Sequence, residues 1–356
     1  MTQATRSNLM SVATTLAANI NATQDYIPVA STANFSTSVV AEVETTNEVV
    51  SFDSITTNLQ VYSQDFDNAA WSKSNVTVAA NSTTAPDGTT TAETLTTNTA
   101  TGGHLIYDSL GTLDATAYAY SVYLKANASN FGFIGQYDGS NYNGIVVDLS
   151  SGSITNTSGS VTSSSVEDVG SGWYRLKCVK TFSAVTSYIL ISLSDSGTPS
   201  YSSGRPNFTG VDESIYVWGA QVEKASSVTG YLPTTSASLS GLTTVTRGAN
   251  GTTAASASSG DDIQQLPYAL LNVDMPVRLT GLSVSSDGTG AGRLTLCDKV
   301  GTHLCDVDIN EDEKFTLNFG GGILFPNGIY VANSDNITAY TLYTSGYNSP
   351  NLTAGG

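Results

Sequence analysis

Apolar and polar residues alternate with the period of a β-strand through much of the chain. Every second residue is apolar from Tyr118 to Leu124 and again from Tyr174 to Cys178. Turn-forming sequences separate the runs, at Pro86-Asp87-Gly88, Asp138-Gly139 and Ser151-Gly152. Short alternating strands divided by such turns are typical of β-sandwiches and jelly rolls, so the sequence predicts an all-β protein.

The same pattern divides the chain into four parts and predicts a multi-domain protein. Residues 1–57 hold short extended segments, which predict a small N-terminal β unit that anchors the protein. Residues 58–235 carry the clearest strands and predict a central, jelly-roll-like β-sandwich. Residues 236–262 are mostly Ser, Thr, Ala and Gly, which predicts a flexible linker. Residues 263–356 return to strand-length runs and predict a small C-terminal β-sandwich.

The N-terminal segment fits two secondary structures. The spacing of Leu9, Val12, Leu16 and Ile20 suits one face of a short helix, whereas the residues from Leu16 to Ala22 alternate as in a strand. The spacing of the apolar residues alone does not decide between a helix and a strand. Polar residues interrupt every apolar run here, so we expect neither a signal peptide nor a membrane span.

The charge excludes nucleic acid as a default partner. The chain has 13 Lys and Arg against 30 Asp and Glu, a formal net charge of −17. Nucleic-acid binding needs clustered cations to displace phosphate counterions, and no run of Lys or Arg occurs. Charged residues make up only 12 % of the chain, against about 25 % in typical soluble domains. Hydroxyl and amide groups therefore supply most of the polar surface.

The residues that catalysis would need are sparse. His104 and His303 are the only histidines, and neither lies in a recognisable motif. The sequence has no GxSxG, HExxH or Walker pattern. Two carboxylates far apart in sequence would leave no local signature, so a glycosidase pair stays open. We expect a protein that is not an enzyme and has no cofactor.

One acidic spacing is similar to the start of a calcium-binding loop. It consists of Asp306, Asp308, Asn310 and Asp312. Glu311 stands where such a loop has Gly, and Leu317 stands where it has a bidentate Glu. On a strand the four residues share one face, so a solvated strand face is the interpretation favoured over a structural calcium site.

The three cysteines leave their redox state open. Cys297 and Cys305 flank a predicted turn around Gly301, so a cross-strand disulfide is geometrically feasible. Assembly in a reducing cytosol favours two buried thiols instead. Cys178 alternates with Leu176 and is expected to pack as a small apolar residue.

Aromatic residues are the remaining functional candidates. The predicted glycan-binding group consists of Tyr137, Asp138, Asn141, Tyr142 and Asn143. Tyrosine rings can stack on the C–H faces of sugars while amide and carboxylate oxygens accept sugar hydroxyls. The alternative, favoured by the usual behaviour of tyrosine, is that Tyr137 ends a strand facing the core and Tyr142 covers a loop.

Several stretches resemble a β-sandwich module of tailed-bacteriophage virion proteins. They are NLQVYSQDFDNAAWSKSNVTV (58–78), APDGTTTAETL (85–95), YSVYLKA (120–126), GWYRL (172–176) and YVWGAQVEKASSVTGYLPTTSA (216–237). They occur in the expected order over about half the chain. Such modules resemble carbohydrate-binding jelly rolls and occur in tail, fibre and head-appendage proteins.

Both ends of the chain point to the same setting. ANINATQDYIPVASTANFS (18–36) with EVVSF (48–52) resembles a short β motif of phage tail and appendage proteins. GGILFPNGIYVANSDNITAYTLY (321–343) is similar to small phage structural proteins. The resemblances imply a protein assembled in the host cytoplasm and displayed on the virion surface. One terminal domain would bind other virion proteins, and a homo-oligomer such as a trimer is expected.

Two roles follow from the resemblance. The first is a head or tail appendage that contacts host glycans, and the expected linker favours it. The alternative is a capsid decoration, or cement, protein that clamps capsomers, a role that rewards rigid contacts.

Overall fold

The computed structural model describes residues 13–33, 35, 39–43, 45, 46, 48–249, 252–265, 277–286, 290–297, 303–325, 329–345 and 352–354. Its regular elements are β-strands, and these ranges contain no α-helix. The described residues accordingly include no helix with the length and hydropathy of a membrane span. The prediction of an all-β, multi-domain fold is confirmed.

The chain forms two compact units. Unit 1 combines Met1–Ser54 with Thr244–Gly356, and unit 2 is the uninterrupted segment Ile55–Thr243. The central sandwich was predicted over residues 58–235, and unit 2 extends beyond both of these bounds. Unit 1 is built from both ends of the chain.

The strands are numbered along the chain. The first four are β1 (Ala13–Thr15), β2 (Tyr26–Val29), β3 (Val39–Val43) and β4 (Glu48–Asn58). Those that follow, up to the middle of the chain, are β5 (Ser72–Ser74), β6 (Val76–Thr83), β7 (Ala92–Thr97), β8 (Thr101–Gly102), β9 (Leu105–Leu113), β10 (Ala117–Ala126), β11 (Phe131–Tyr137), β12 (Tyr142–Asp148), β13 (Ser153–Ser158), β14 (Ser163–Gly170) and β15 (Trp173–Thr181). Next come β16 (Val185–Leu193), β17 (Tyr201–Ser202), β18 (Arg205–Pro206), β19 (Phe208–Thr209), β20 (Ser214–Glu223), β21 (Leu239–Thr246) and β22 (Asp262–Gln265). The last seven are β23 (Val277–Ser286), β24 (Gly292–Cys297), β25 (His303–Ile309), β26 (Lys314–Phe325), β27 (Tyr330–Asp335), β28 (Ile337–Ser345) and β29 (Leu352–Ala354).

A six-stranded sheet contains the N-terminal strands, in the order β1-β22-β3-β4-β21-β2. Ile263 of β22 is opposite Thr14 on one side and Val43 on the other. Leu16 and Ile20 form isolated bridges to Val29 and Ala257. The extended interpretation therefore applies to this part of the N-terminal segment, while Leu9 and Val12 lie outside the described residues.

Residues 236–262 were expected to form a flexible linker, but part of this segment belongs to the six-stranded sheet. Strand β21 lies within that segment, β22 begins at its last residue, and Leu242, Val245 and Ala257 are buried. The difference has a physical reason. Small and hydroxyl residues still carry the backbone N–H and C=O groups of a sheet ladder, and three buried apolar side chains hold the segment on a core.

Unit 2 is a sandwich of two six-stranded sheets. Their orders are β14-β15-β10-β20-β7-β6 and β13-β12-β11-β16-β9-β5, and the second is called sheet C here. Tyr120, Val122 and Leu124 of β10 pack in one core with Ile134 of β11 and Ile189 of β16. The period-two pattern therefore places the predicted apolar faces between the sheets.

The C-terminal strands form a smaller sandwich. Its sheets have the orders β26-β23-β28-β29 and β25-β24-β27. Leu282 and Val284 from the first pack with Leu294, Leu296 and Ile309 from the second. The C-terminal sandwich was predicted over residues 263–356, and the strands of these two sheets lie between Val277 and Ala354.

Candidate functional site

The predicted glycan-binding group lies on the hairpin of β11 and β12. Tyr137 and Tyr142 are directly opposite each other in the ladder. The connecting loop closes on Asp138, whose Oδ1 accepts the N–H groups of Ser140 at 3.0 Å and Asn141 at 2.9 Å. An Asp that accepts backbone N–H groups two and three residues ahead is a common means of fixing a tight turn. The five residues are thus gathered at one end of sheet C.

Two of the five residues use their polar atoms within the protein. Asn143 donates through Nδ2 to Asp138 Oδ2 at 2.8 Å and accepts the N–H of Ser160 at 2.7 Å. Burial would raise the pKa of Asp138, but hydrogen bonds from Asn141, Asn143 and Ser140 and the charge of Lys180 outweigh it, and the pKa is lowered. Asp138 and Asn143 therefore hold the loop together, and Asn143 is itself buried.

The remaining three residues differ in exposure. Tyr142 is buried, with 7 % of its surface exposed, whereas Tyr137 is half-buried and Asn141 is exposed. The backbone N–H of Tyr142 donates to Ser203 O at 2.9 Å, which fixes the strand beneath a neighbouring loop. The flat two-tyrosine platform expected from the sequence is therefore not what the hairpin presents, because only Tyr137 keeps an accessible ring.

Two further tyrosines extend the site across sheet C. Tyr188 of β16 lies 5.9 Å from Tyr137 between ring centroids, and Tyr107 of β9 lies 6.2 Å from Tyr188. Both are half-buried. Their neighbours Ile106 and Ile189 fill the core, so the period-two rule turns both tyrosines to the outer face. Sequence reasoning missed them, although this alternation was the signal that could have found them.

A short hairpin of β17 and β18 packs beside these rings. Gly204, at its tip, has φ +78°, and a Cβ there would lie 2.1 Å from Tyr142 O. Only glycine permits both that backbone conformation and that approach. The next residue, Arg205, places Cζ 5.9 Å from the ring centroid of Tyr142, within the range of a cation–π contact.

We call Tyr107, Tyr137, Tyr142, Tyr188 and Arg205 the aromatic face. Burial raises the pKa of the Tyr142 phenol to about 12, and the nearby Arg205 charge opposes that rise. The hydroxyls of the three half-buried tyrosines form no hydrogen bond with any residue that the structure describes. The face thus offers apolar ring surface, three available hydroxyls and one guanidinium, a set suited to a polar ligand with apolar C–H faces.

The outer face of the other sheet is covered by its own loops. Trp173 donates through Nε1 to Thr84 O at 3.1 Å, and Trp218 donates to Thr91 Oγ1 at 3.0 Å. Tyr231 packs on Trp218 with a centroid distance of 4.8 Å. Both tryptophans are buried, as expected for packing residues, and they are not available as ring surface for a ligand.

A cleft of about 380 Å³ lies near the edge of that sheet. Ser163, Ser165, Ser226 and Lys177 are among the residues that line it. The Lys177 ammonium is 2.6 Å from Glu167 Oε2, so its charge is already compensated. The cleft offers hydroxyls without a free charge or an aromatic ring, and it is the weaker candidate site.

The acidic residues considered for calcium lie at the end of β25 and in the following turn. Asp308 accepts from Arg293, with Nε to Oδ1 at 2.6 Å, and Asn310 bonds Glu313. Asp306 and Asp312 are exposed. The part of the chain that the structure describes holds no group of three or more His, Cys, Asp or Glu side chains that could bind a metal ion.

The cysteines and His104 occupy structural positions. Cys305 is opposite Leu296 in the ladder and Cys297 is opposite His303, so the symmetric pairing considered for a disulfide does not occur, and both are thiols. Burial raises the pKa of the Cys178 thiol to about 12. His104 is buried, with Nδ1 2.9 Å from Asn75 O and Nε2 3.3 Å from Phe208 O.

Comparison with known proteins does not assign the chain to a family. Neither the known family models nor the curated protein sequences give a match.

Proposed function

We propose that this chain is a non-enzymatic structural protein of a tailed-bacteriophage virion whose central sandwich binds saccharide. The sequence resemblances support the virion setting. The saccharide-binding part is supported by one observation above all, the half-buried rings of Tyr107, Tyr137 and Tyr188 on the outer face of sheet C. Rings held in this way present flat apolar surface at a low cost in conformational entropy on binding.

The role of a surface appendage suits such a site. A shallow face makes few contacts with one sugar, so a single site binds weakly. Many copies on one particle raise the avidity by about 10²- to 10⁴-fold without any new contact. A homo-oligomer, such as a trimer, bound to other virion proteins through a terminal domain would provide the repetition.

Two measurements test the proposal. An antibody against the protein should label the surface of purified particles in electron microscopy, and particles without label would contradict the virion role. The purified protein should bind members of a glycan array. The Tyr188→Ala variant should lose that binding. Because the half-buried ring of Tyr188 also packs against a buried apolar cluster, its melting temperature is compared with that of a second tyrosine variant. Tyr174→Ala, which removes a half-buried tyrosine packed against the core of unit 2, should lose a similar amount of stability and keep the binding.

A capsid decoration protein is the second candidate, and the N-terminal sheet favours it. Strands β21 and β22 hold residues that were expected to form a flexible tether, so the argument for a loosely attached appendage loses its support. Pre-ordered contacts suit a clamp between capsomers. Heat and osmotic shock of particles with and without the protein distinguish the roles, because a clamp protects the capsid and an adhesin changes only adsorption.

A further inference from the structure

Arg205 is a cation on the aromatic face that lacks an acceptor. Its guanidinium lies against the ring of Tyr142, and its Nε is buried without a hydrogen-bond partner. The side chain as a whole is only partly exposed. Holding a buried N–H without an acceptor costs free energy, and the terminal N–H groups of Arg205 also form no hydrogen bond with a described residue.

Most of the other cations of unit 2 contact an oxygen of the protein. Arg175 Nε is also buried without a partner, but the terminal N–H groups of Arg175 donate to Thr229 O and Ser121 Oγ. Lys73, Lys177, Lys180, Lys224 and Arg175 each contact a carboxylate, carbonyl or hydroxyl oxygen. Lys125 and Arg205 have no such partner among the residues described. Lys125 belongs to β10, in the other sheet. Arg205 is therefore the unpaired cation that lies among the accessible tyrosines.

The chemistry of a guanidinium indicates what would complete the site. Its planar set of donors matches the two oxygens of a carboxylate, or those of a sulfate, better than any neutral hydroxyl. The tyrosine rings beside it provide stacking surface, and their hydroxyls are available to ring substituents. The ligand that uses every part of this face is a sugar that carries an anionic group.

We propose that the aromatic face binds an acidic saccharide, a sugar bearing a carboxylate or sulfate, and that Arg205 pairs with its anionic group. The proposal rests on the proposed saccharide-binding function and names the class of ligand. The net charge of −17 does not oppose it at contact distance. Salt screens the field of distant charges beyond about 8 Å at physiological ionic strength, whereas Arg205 would touch the ligand.

The test uses the full chain and chemically matched probes. The probes are oligosaccharides of galacturonic acid, hyaluronan and sialic acid, each beside its carboxyl-reduced form, with a sulfated and an unsulfated galactan as a further pair. The wild-type protein should bind at least one acidic probe, and about 10- to 100-fold more tightly than its neutral partner, the range of one or two charge-assisted hydrogen bonds. Arg205→Gln should remove that preference. Arg205→Lys should keep part of it, since it keeps the charge and loses the planar donor set.

Lys125→Gln provides the matched control, because it removes the other unpaired cation and the same net charge. It should leave the preference unchanged. Equal binding of acidic and neutral partners, or a preference that survives in Arg205→Gln, overturns the assignment to acidic sugars and leaves the saccharide-binding proposal standing. Failure to bind any of these probes or any glycan of the array overturns both. The wild-type comparison stands by itself should Arg205→Gln not fold.

Discussion

Arg247 and Glu48 form a buried, bidentate ion pair although they lie 199 residues apart in the sequence. Arg247 Nε is 2.8 Å from Glu48 Oε1, and Nη2 is 2.7 Å from Oε2. The N–H groups of Gly248 and Ala255 donate to the same two oxygens. Burial would raise the pKa of Glu48, but the hydrogen bonds from Arg247, Ala255 and Gly248 outweigh it and lower the pKa.

Replacing Arg247 by Met should destabilise unit 1 strongly. The Glu48 carboxylate would remain buried with only its two backbone donors, and an uncompensated buried charge costs about 3–5 kcal/mol. Native-state hydrogen exchange of β3 and β4 measures the loss within unit 1, because the units need not unfold together. Arg293→Met is the control. Its pair with Asp308 is exposed, with side chains 54 % and 69 % accessible, and is expected to contribute less than about 1 kcal/mol. Equal losses of stability in the two variants would show that burial does not increase the contribution of the Arg247–Glu48 pair.

Glu93 should make unit 2 less stable as the pH rises. Burial and the neighbouring carboxylates of Asp67 and Asp65 raise the pKa of Glu93 from 4.5 to about 8. Between these values the folded protein holds a proton that the unfolded chain releases, so stability falls as the pH increases through this window, with a slope of at most about 1.4 kcal/mol per pH unit. Urea unfolding at a series of pH values from 5 to 8 measures the slope. Glu93→Gln should flatten it, and an equal slope in both proteins would rule out Glu93 as its source.

Lys73 stabilises a loop of unit 2 through its ammonium group. Nζ donates to the carbonyl oxygens of Asp67, Asn68 and Trp71 at 2.9, 2.7 and 3.0 Å. Lys73→Met keeps the aliphatic stem and removes all three bonds, so we expect a loss of about 1–2 kcal/mol. Chemical denaturation followed by tryptophan fluorescence measures it. Lys125→Met, at a lysine with no acceptor among the described residues, should change stability much less. A similar change in both would indicate a general effect of charge.

Gly204→Ala should disturb the aromatic face specifically. An added methyl group would meet Tyr142 O at 2.1 Å, so the hairpin of β17 and β18 must move away and carry Arg205 with it. We expect weaker glycan binding together with a loss of at least about 1 kcal/mol of stability. Gly88→Ala is the control, since Gly88 also has a positive φ, +84°, with no atom near its Cβ position. Unimpaired glycan binding by Gly204→Ala would mean that the hairpin does not shape the site.

Calcium should leave the melting temperature of the whole chain unchanged. Asp308 is paired with Arg293, and Asp306, Asn310 and Asp312 lie on exposed positions along a strand and a turn. Differential scanning calorimetry with 1 mM calcium or with excess chelator checks this. A calcium-dependent rise in melting temperature that is lost in Asp306→Asn would instead establish the calcium site considered from the sequence.

Most of the fold prediction was based on the alternation of apolar and polar side chains along the strands. Tyr120 and Val122 were expected on one face of a strand and lie in the core of unit 2. The hairpin bearing Tyr137 and Tyr142 also follows from its Asp-Gly turn. These features are local, because a period of two and a turn sequence are both visible within ten residues.

Features set by distant pairing could not be predicted in this way. The segment around β21 and β22 has the composition of a linker, and its order depends on strands near the N-terminus. The same limit applies to the aromatic face. Tyr107 and Tyr188 lie on different strands, and only the strand order shows that they adjoin Tyr137. Arg205 belongs to a two-residue strand that carries no pattern of its own.

The chain order of the N-terminal sheet has a consequence during synthesis. Strands β1 to β4 emerge from the ribosome first, but β21 and β22, which pair within their sheet, follow only after unit 2. At about 5–20 residues per second, roughly 200 residues of translation separate the two groups by some 10–40 s. The early strands must therefore wait with unpaired edges, while unit 2, whose strands are contiguous, can fold as soon as it has left the exit tunnel. Any chaperone or cognate partner that protects this protein would be needed earliest at its N-terminal end.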